Sequence, residues 1–265
     1  MSIIQDQLNR NIQLKEVPRR IVSLVPSQTE LLVDLGLRNK IAGVTKFCVH
    51  PENLRKEKKV VGGTKQVHLD RILSLKPDII LCNKEENTEE MVAELEKVAP
   101  VHVSDIMTID DSLELIGQYG EMFGVTGKAS EIIKKIQLEK AGFQEYIKDL
   151  PVRKVAYFIW KDPWMVAGGD TFINSLLEIN RFENVFFNAI SRYPEVDLKE
   201  LKERNVELIL LSTEPFPFKV KDKKALEKEV RMDGIHIVDG EYFSWYGSRL
   251  AAAFNYFRKL QAMLS

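Results

Sequence analysis

Residues 69–83, LDRILSLKPDIILCN, recur in outline at 198–212 as LKELKERNVELILLS, 129 positions further on. Each stretch carries apolar residues at helical spacing, then a Lys-Pro-Asp or Asn-Val-Glu turn, then a compact aliphatic strand. Each also follows an earlier strand at a similar offset, RRIVSL at 19–24 and RKVAYF at 153–158. The chain therefore reads as two similar α/β halves, and a duplicated α/β chain keeps its ligand site in the cleft between the halves.

Composition narrows the class. A chain of 265 residues is long enough to bury a sizeable core as one large domain or two modest ones. Its 45% apolar and 29% charged residues are ordinary for a globular protein. The 38 basic and 39 acidic residues are interspersed, so no basic stripe marks a nucleic-acid interface. No apolar run approaches the ~18–20 residues of a membrane-spanning helix. The opening MSIIQDQLNRNIQLKEVPRR lacks a secretory signal, so the sequence predicts either a cytoplasmic protein or an export signal upstream of it. Cys48 and Cys82 rule out a disulfide scaffold by number, and Cys82 ends an apolar strand where a small buried residue suits.

In the first half, strands are expected at 21–25, 41–45, 78–82 and 101–104, with helices at 27–36, 67–75, 88–98 and 111–124. Strands separated by helices imply parallel pairing and a doubly wound lobe. Ile132, Ile133, Ile136, Phe143, Tyr146, Ile147 and Leu150 form an approximate 3.6-residue stripe over 128–151. They predict one long, stiff connecting helix, ended by Pro151. The second half repeats the scheme: strand 154–160 with a hairpin partner at 165–168, helices 171–180 and 198–205, strands 207–212 and 235–239, and a closing helix 248–264. The expected divisions are an N-terminal lobe 1–126, a connecting helix 127–151 and a C-terminal lobe 152–265.

Phosphate-cradling, metalloprotease and nucleophile-elbow motifs do not occur. Ser27-x-x-Glu30 after the first strand reads as a capping box, or else as a helix N-terminus offering N–H groups to an anion. Ligands of open α/β lobes bind beyond the carboxyl ends of the strands. Loops there carry Phe47, Cys48 and His50, then Gly62–Gln66 with Thr64 and Lys65, then Trp160 and Trp164, and Arg192 and Tyr193. Last come Glu241, Tyr242, Phe243, Trp245 and Arg249. Aromatics this dense in loops are expected to cover a ligand.

The order PRRIVSLVPSQTELLVDLGL, GVTKFCVHP, VHLDRILSLKPDIIL, FENVFF, YPEVDLKEL and YFSWYGSRLAAA resembles the substrate-binding proteins of ABC importers for cobalamin and ferric siderophores. The resemblance runs from Pro18 to the C-terminus, and the cobalamin binders are nearest. It implies two Rossmann-like lobes with parallel sheets, one long connecting helix and a ligand cleft between the lobes. Phe47, Trp160 and Tyr193 then match aromatics placed against the ligand, and the 242–249 loop matches one that closes over its side. Thr64 stands where the cobalamin binders have an aromatic. The family also presents one acid per lobe to permease arginines. Asp70 matches the first; the second position is Lys199, with Glu200 beside it and Asp197 nearby, and a lysine there would repel an arginine.

The expected function is non-catalytic binding of a metal chelate, a corrinoid first and a ferric siderophore or haem next, as the substrate-binding component of an ABC importer. No resident cofactor, no nucleic-acid partner and no membrane-embedded segment are expected, and the protein is expected to be a monomer. Localisation by resemblance is periplasmic or extracytoplasmic. Cys48 and His50 could together ligate iron or cobalt, but two ligands do not make a site, and no metal centre is expected. His68, His102 and His236 read as structural, His236 as buried. The alternatives are a cytoplasmic two-lobe enzyme, chelatase-like or a nucleotide-sugar-type transferase, and a cytoplasmic corrinoid carrier or sensor uncoupled from a permease. An enzyme would have to use His50, Cys48 or Glu241 as its titratable group.

Overall fold

The computed structural model describes residues 2–264. Two compact units are present. Unit 1 runs to Ile106 and takes in Asp110–Leu138 and Trp245–Ala251; unit 2 comprises Met107–Ile109, Glu139–Ser244 and the chain from Ala252 onward. Trp245–Ala251 thus belongs to unit 1 although it lies late in the sequence.

Unit 1 opens with an antiparallel ribbon, β1 (Ser2–Gln5) and β2 (Asn11–Leu14), which the polar start of the sequence does not announce. Its main sheet has five parallel strands in the order β5-β4-β3-β6-β7, formed by β3 (Ile21–Ser23), β4 (Ile41–Val44), β5 (Lys59–Val60), β6 (Ile79–Asn83) and β7 (Val101–Ser104). Every residue of β6 and β7 is buried, as strands covered on both faces by helices must be. The covering helices are α1 (Pro26–Asp34), α2 (Leu54–Glu57), α3 (Leu69–Leu75), α4 (Glu89–Glu96) and α5 (Ile109–Phe123). Thr88 caps α4 by accepting from Met91 N–H.

The long helix α6 (Thr126–Ile147) changes unit after Leu138 and ends before Pro151, so the expected span 128–151 is shifted towards the N-terminus. In unit 2, β8 (Arg153–Trp160) pairs in parallel with β10 (Phe182–Asn184) and β11 (Leu208–Ser212), and antiparallel with β9 (Met165–Val166). β12 (Ile235–Val238) adds to β11, giving the order β10-β8-β11-β12. As an outer strand it leaves His236 half-buried, correcting the expectation of a buried histidine. The helices are α7 (Phe172–Ile179), α8 (Lys199–Glu203), α9 (Val220–Val230), α10 (Glu241–Ser244) and α11 (Leu250–Leu264). β10 and α9 have no counterpart in the sequence expectations, because three residues are too few for a periodicity and VKDKKALEKEV is dominated by charge.

The repeat holds residue by residue. Strands β6 and β11 keep the 129-residue offset, and so do Lys76 (φ 47°) and Asn205 (φ 54°), the left-handed residues that end the preceding helices. Asp78 and Glu207 share a task as well. Asp78 accepts from the N–H groups of Arg19 (2.8 Å) and Arg20 (2.9 Å), and Glu207 accepts from Lys154 N–H (2.7 Å). Each acid ties its turn to the start of the first strand, in chain order, of its unit's main sheet.

The Ser27–Glu30 capping box is not formed. Pro26 occupies the first turn of α1, the residue before it is Val25, and no side chain caps the helix. Proline supplies no N–H and presets the helical φ, so the helix begins ahead of Ser27. Glu30 is committed elsewhere.

Candidate functional site

In unit 1 the β4–α2 loop is held from beneath. Cys48 is fully buried, its Sγ 3.2 Å from Thr29 Oγ1 and 3.3 Å from Thr45 Oγ1, and Thr29 Oγ1 also donates to Ser23 Oγ (2.8 Å). Burial pushes the thiol pKa up. Cys48 is therefore buried in the core beneath the loop. The anchored turn leaves Phe47 48% exposed, with the Lys46 ammonium 5.0 Å from its ring centroid. Lys46 N–H donates to Gly62 O (2.8 Å), which brings the β5–α3 loop alongside. Gly63 lets that loop pass close: a Cβ there would lie 3.3 Å from Phe47 Cε2. In the same loop, Thr64 is half-buried and its carbonyl accepts from Asn87 Nδ2 (2.7 Å), while exposed Lys65 donates to Glu85 O.

The segment Trp245–Ala251 is docked on unit 1 by polar contacts. Tyr246 OH accepts from Gln28 Nε2 (2.9 Å), whose amide also meets Ser104 Oγ (2.7 Å), while Tyr119 OH donates to Gln28 Oε1 (2.7 Å). Gly247, at φ 89°, donates its N–H to Ser112 Oγ (2.9 Å). Arg249 grips Glu30 with two bonds, Nε to Oε2 (2.8 Å) and Nη2 to Oε1 (2.7 Å). Its guanidinium carbon lies 4.8 Å from the centroid of Trp245, and His50 meets that ring edge-on at 5.4 Å. Burial is the leading influence on Glu30 and raises its pKa, the bonds from Arg249 opposing it. Trp245 is only 7% exposed, so this cluster is a packed anchor for the segment.

Unit 2 presents a different surface. Trp160, at the end of β8, is 40% exposed and lies edge-on to Phe216 (5.6 Å). Phe216 leans on buried Phe218 (4.7 Å), which stacks flat on half-buried Trp164 (6.0 Å). Tyr193 is half-buried in a segment fixed along β9 by Val166 N–H to Pro194 O (3.1 Å) and Val196 N–H to Trp164 O (3.0 Å). Glu241 and Tyr242 open α10; both are half-buried, and Tyr242 stacks on Tyr256 at 4.6 Å. Phe243 is fully buried against Tyr157 (5.1 Å) and Phe257 (4.9 Å). It is part of the core of unit 2. The single loop expected over 242–249 is split between the units after Ser244.

Asp70 is exposed in the first turn of α3. Its counterpart by offset, Lys199, has an 88% exposed side chain. Glu200 accepts from Arg204 Nη2 (3.0 Å) and Asp197 N–H (3.1 Å), and exposed Asp197 accepts from Lys199 N–H (2.9 Å), so both acids are engaged locally. The sequence reading does not single out Phe216; its one signal is the Pro-Phe-Pro-Phe run after a strand. Among the described residues no three His, Cys, Asp or Glu side chains gather as a metal-ligand set, and no helix is long and apolar enough to cross a membrane.

Comparison with known proteins places the chain by family and fold. An uncharacterized ABC transporter substrate-binding lipoprotein of Bacillus subtilis is 29% identical over 189 residues, covering 68% of this chain and 60% of its own length. The chain therefore spans less than two thirds of that relative. A vitamin B12-binding protein of Vibrio vulnificus is 26% identical over 198 residues, covering 72% of this chain and 70% of that one. Among solved structures, the molybdate periplasmic binding protein MolA of Haemophilus influenzae superposes with a TM-score of 0.83 at 19% identity, covering all of this chain and 92% of that one. A family model described as periplasmic binding protein matches residues 21–233, and the chain belongs to that family.

Proposed function

We propose that this chain is a non-catalytic receptor for a metal chelate, a corrinoid first and a ferric siderophore or haem next. We further propose that it serves outside the cytoplasm as the substrate-binding component of an ABC-type importer. The observation that carries this reading is the pair of exposed aromatics at strand carboxyl ends, Phe47 in unit 1 and Trp160 in unit 2, each on a rigid support. Exposed rings on preformed loops suit an apolar macrocycle or chelate, because little ordering entropy is lost on binding. The vitamin B12-binding relative supports a corrinoid, while Thr64 in place of an aromatic removes one stacking partner from that ligand.

In this reading unit 1 offers a ligand the ring of Phe47, with Thr64 and Lys65 for polar contacts and His50 beside Trp245, and unit 2 offers the rings of Trp160, Trp164 and Tyr193, with Glu241 and Tyr242 for polar contacts. Asp70 offers a permease one acidic contact. Lys199 in the paired position favours a second reading, a corrinoid carrier uncoupled from a permease.

The test is thermal unfolding with cyanocobalamin, haemin and a ferric hydroxamate in turn. A ligand at a hundredfold excess over Kd stabilises the fold by about 2.7 kcal/mol. One of the three should raise the unfolding temperature of the wild type, and Phe47→Ala should lose that shift. A wild type insensitive to all three would overturn the proposal.

A further inference from the structure

The loop after β11, Glu214-Pro215-Phe216-Pro217-Phe218, carries an aromatic group placed for ligand contact. Its support begins in the core of unit 2. Phe158 lies edge-on to Trp164 (5.5 Å), Trp164 stacks on Phe218 in parallel planes, and Phe218 carries Phe216. Phe216 in turn meets Trp160, and its N–H donates to Ile159 O (3.2 Å). A continuous run of rings thus leads from buried residues to the carboxyl ends of adjacent strands β8 and β11. It ends on half-buried Phe216 and exposed Trp160, with exposed Pro215 and Pro217 beside them. The Lys161 ammonium, 5.7 Å from the ring of Trp164, pairs with Asp222 (3.1 Å) and closes one side of the run.

We infer that Phe216 and Trp160 form a two-ring platform that receives the apolar face of the chelate, making Phe216 a specificity-determining residue. This rests on the receptor reading above. The occupant follows from continuity: the Tyr193 segment is hydrogen-bonded to the strand partner of β8, so Tyr193, Trp160 and Phe216 belong to one rim of unit 2. Edge-to-face rings with one open side suit a flat or ring-edged ligand. They offer no charge to a small oxyanion.

The test measures the affinities of cyanocobalamin, haemin and a ferric hydroxamate by quenching of tryptophan fluorescence, in the wild type, Phe216→Ala and Phe216→Leu. Circular dichroism and unfolding temperature check that each variant is folded. Because Phe216 is supported from below and bonded through its backbone, both variants should fold. Loss of the ring should weaken the best-bound chelate at least about tenfold in Phe216→Ala and less in Phe216→Leu. Folded Phe216→Ala that binds within twofold of the wild type would overturn the platform and leave the receptor reading standing. A wild type that binds none of the three would overturn both. If Phe216→Ala does not fold, Trp160→Phe and Trp160→Ala decide, with the same loss expected for alanine only.

Discussion

The Glu30–Arg249 pair gives the sharpest energetic prediction. Both side chains are largely withdrawn from water, 19% and 10% exposed, and they meet through two parallel bonds. Even so, burial outweighs the guanidinium in setting the Glu30 pKa, which stands above its ordinary value. A pair in this balance adds little stability as a pair, but either partner left alone is costly. Arg249→Met keeps an apolar stem against Trp245 and strands the carboxylate. Fully buried pairs cost about 3–5 kcal/mol when broken, and residual exposure here lowers the expectation to about 2–3 kcal/mol at pH 7. Adding Glu30→Gln should recover most of that loss. The pH dependence has a definite sign. A carboxyl whose folded pKa is raised contributes stability below its unfolded value and loses it as pH rises through the folded value. The Arg249→Met defect should therefore shrink when urea unfolding is repeated at pH 5. A defect below about 0.5 kcal/mol, or one as large at pH 5 as at pH 7, would show that the Glu30 carboxylate does not depend on Arg249.

Three further outcomes follow from buried groups. Tyr246→Phe removes one partner of the Gln28 amide in a dry network and should cost about 1–2 kcal/mol by urea unfolding, with far-ultraviolet dichroism unchanged. His102 is buried in β7 beside Asp6 and Arg10. Its Nε2 lies 3.1 Å from Gln118 Oε1, its Nδ1 has no partner among the described residues, and burial lowers its pKa. Its contribution should be intact above its unfolded value of 6.5 and lost as pH falls through the folded value. His102→Leu should flatten the fall in unfolding temperature between pH 7 and 5. Finally, Cys48 and Cys82 are fully buried, with the Cys82 pKa pushed up to about 12, so a disulfide reagent should find no reactive thiol in the native protein and two after denaturation.

Much of the fold could be read from the sequence because central parallel strands are apolar throughout. IVS, IILCN and LILLS declare themselves without reference to distant residues. The turn between helix and strand has the same length in both copies, and Lys76 and Asn205 take the same left-handed conformation in it. What was hidden depended on partners far away. Phe243 and Trp160 are both aromatics in loop-like stretches, yet one is core and the other exposed, and only the packing of Tyr157 and Phe257 decides between them. The burial of Cys48 is not legible in the sequence because its partners Thr29 and Thr45 carry no signal, and the pairing of Arg249 is not legible because Glu30 lies 219 positions away. A proline-rich loop reads as a connection rather than a surface, which hides Phe216 in the sequence.

A non-catalytic receptor, as proposed, holds a chelate and releases it unchanged. Equilibrium dialysis against cyanocobalamin, haemin and a ferric hydroxamate, with mass spectrometry of the chelate released on denaturation, tests it directly. The expected result is saturable one-to-one retention of one of them, recovered chemically unaltered, with retention lost in Tyr193→Ala. No retention of any, or recovery of a converted product, would contradict it.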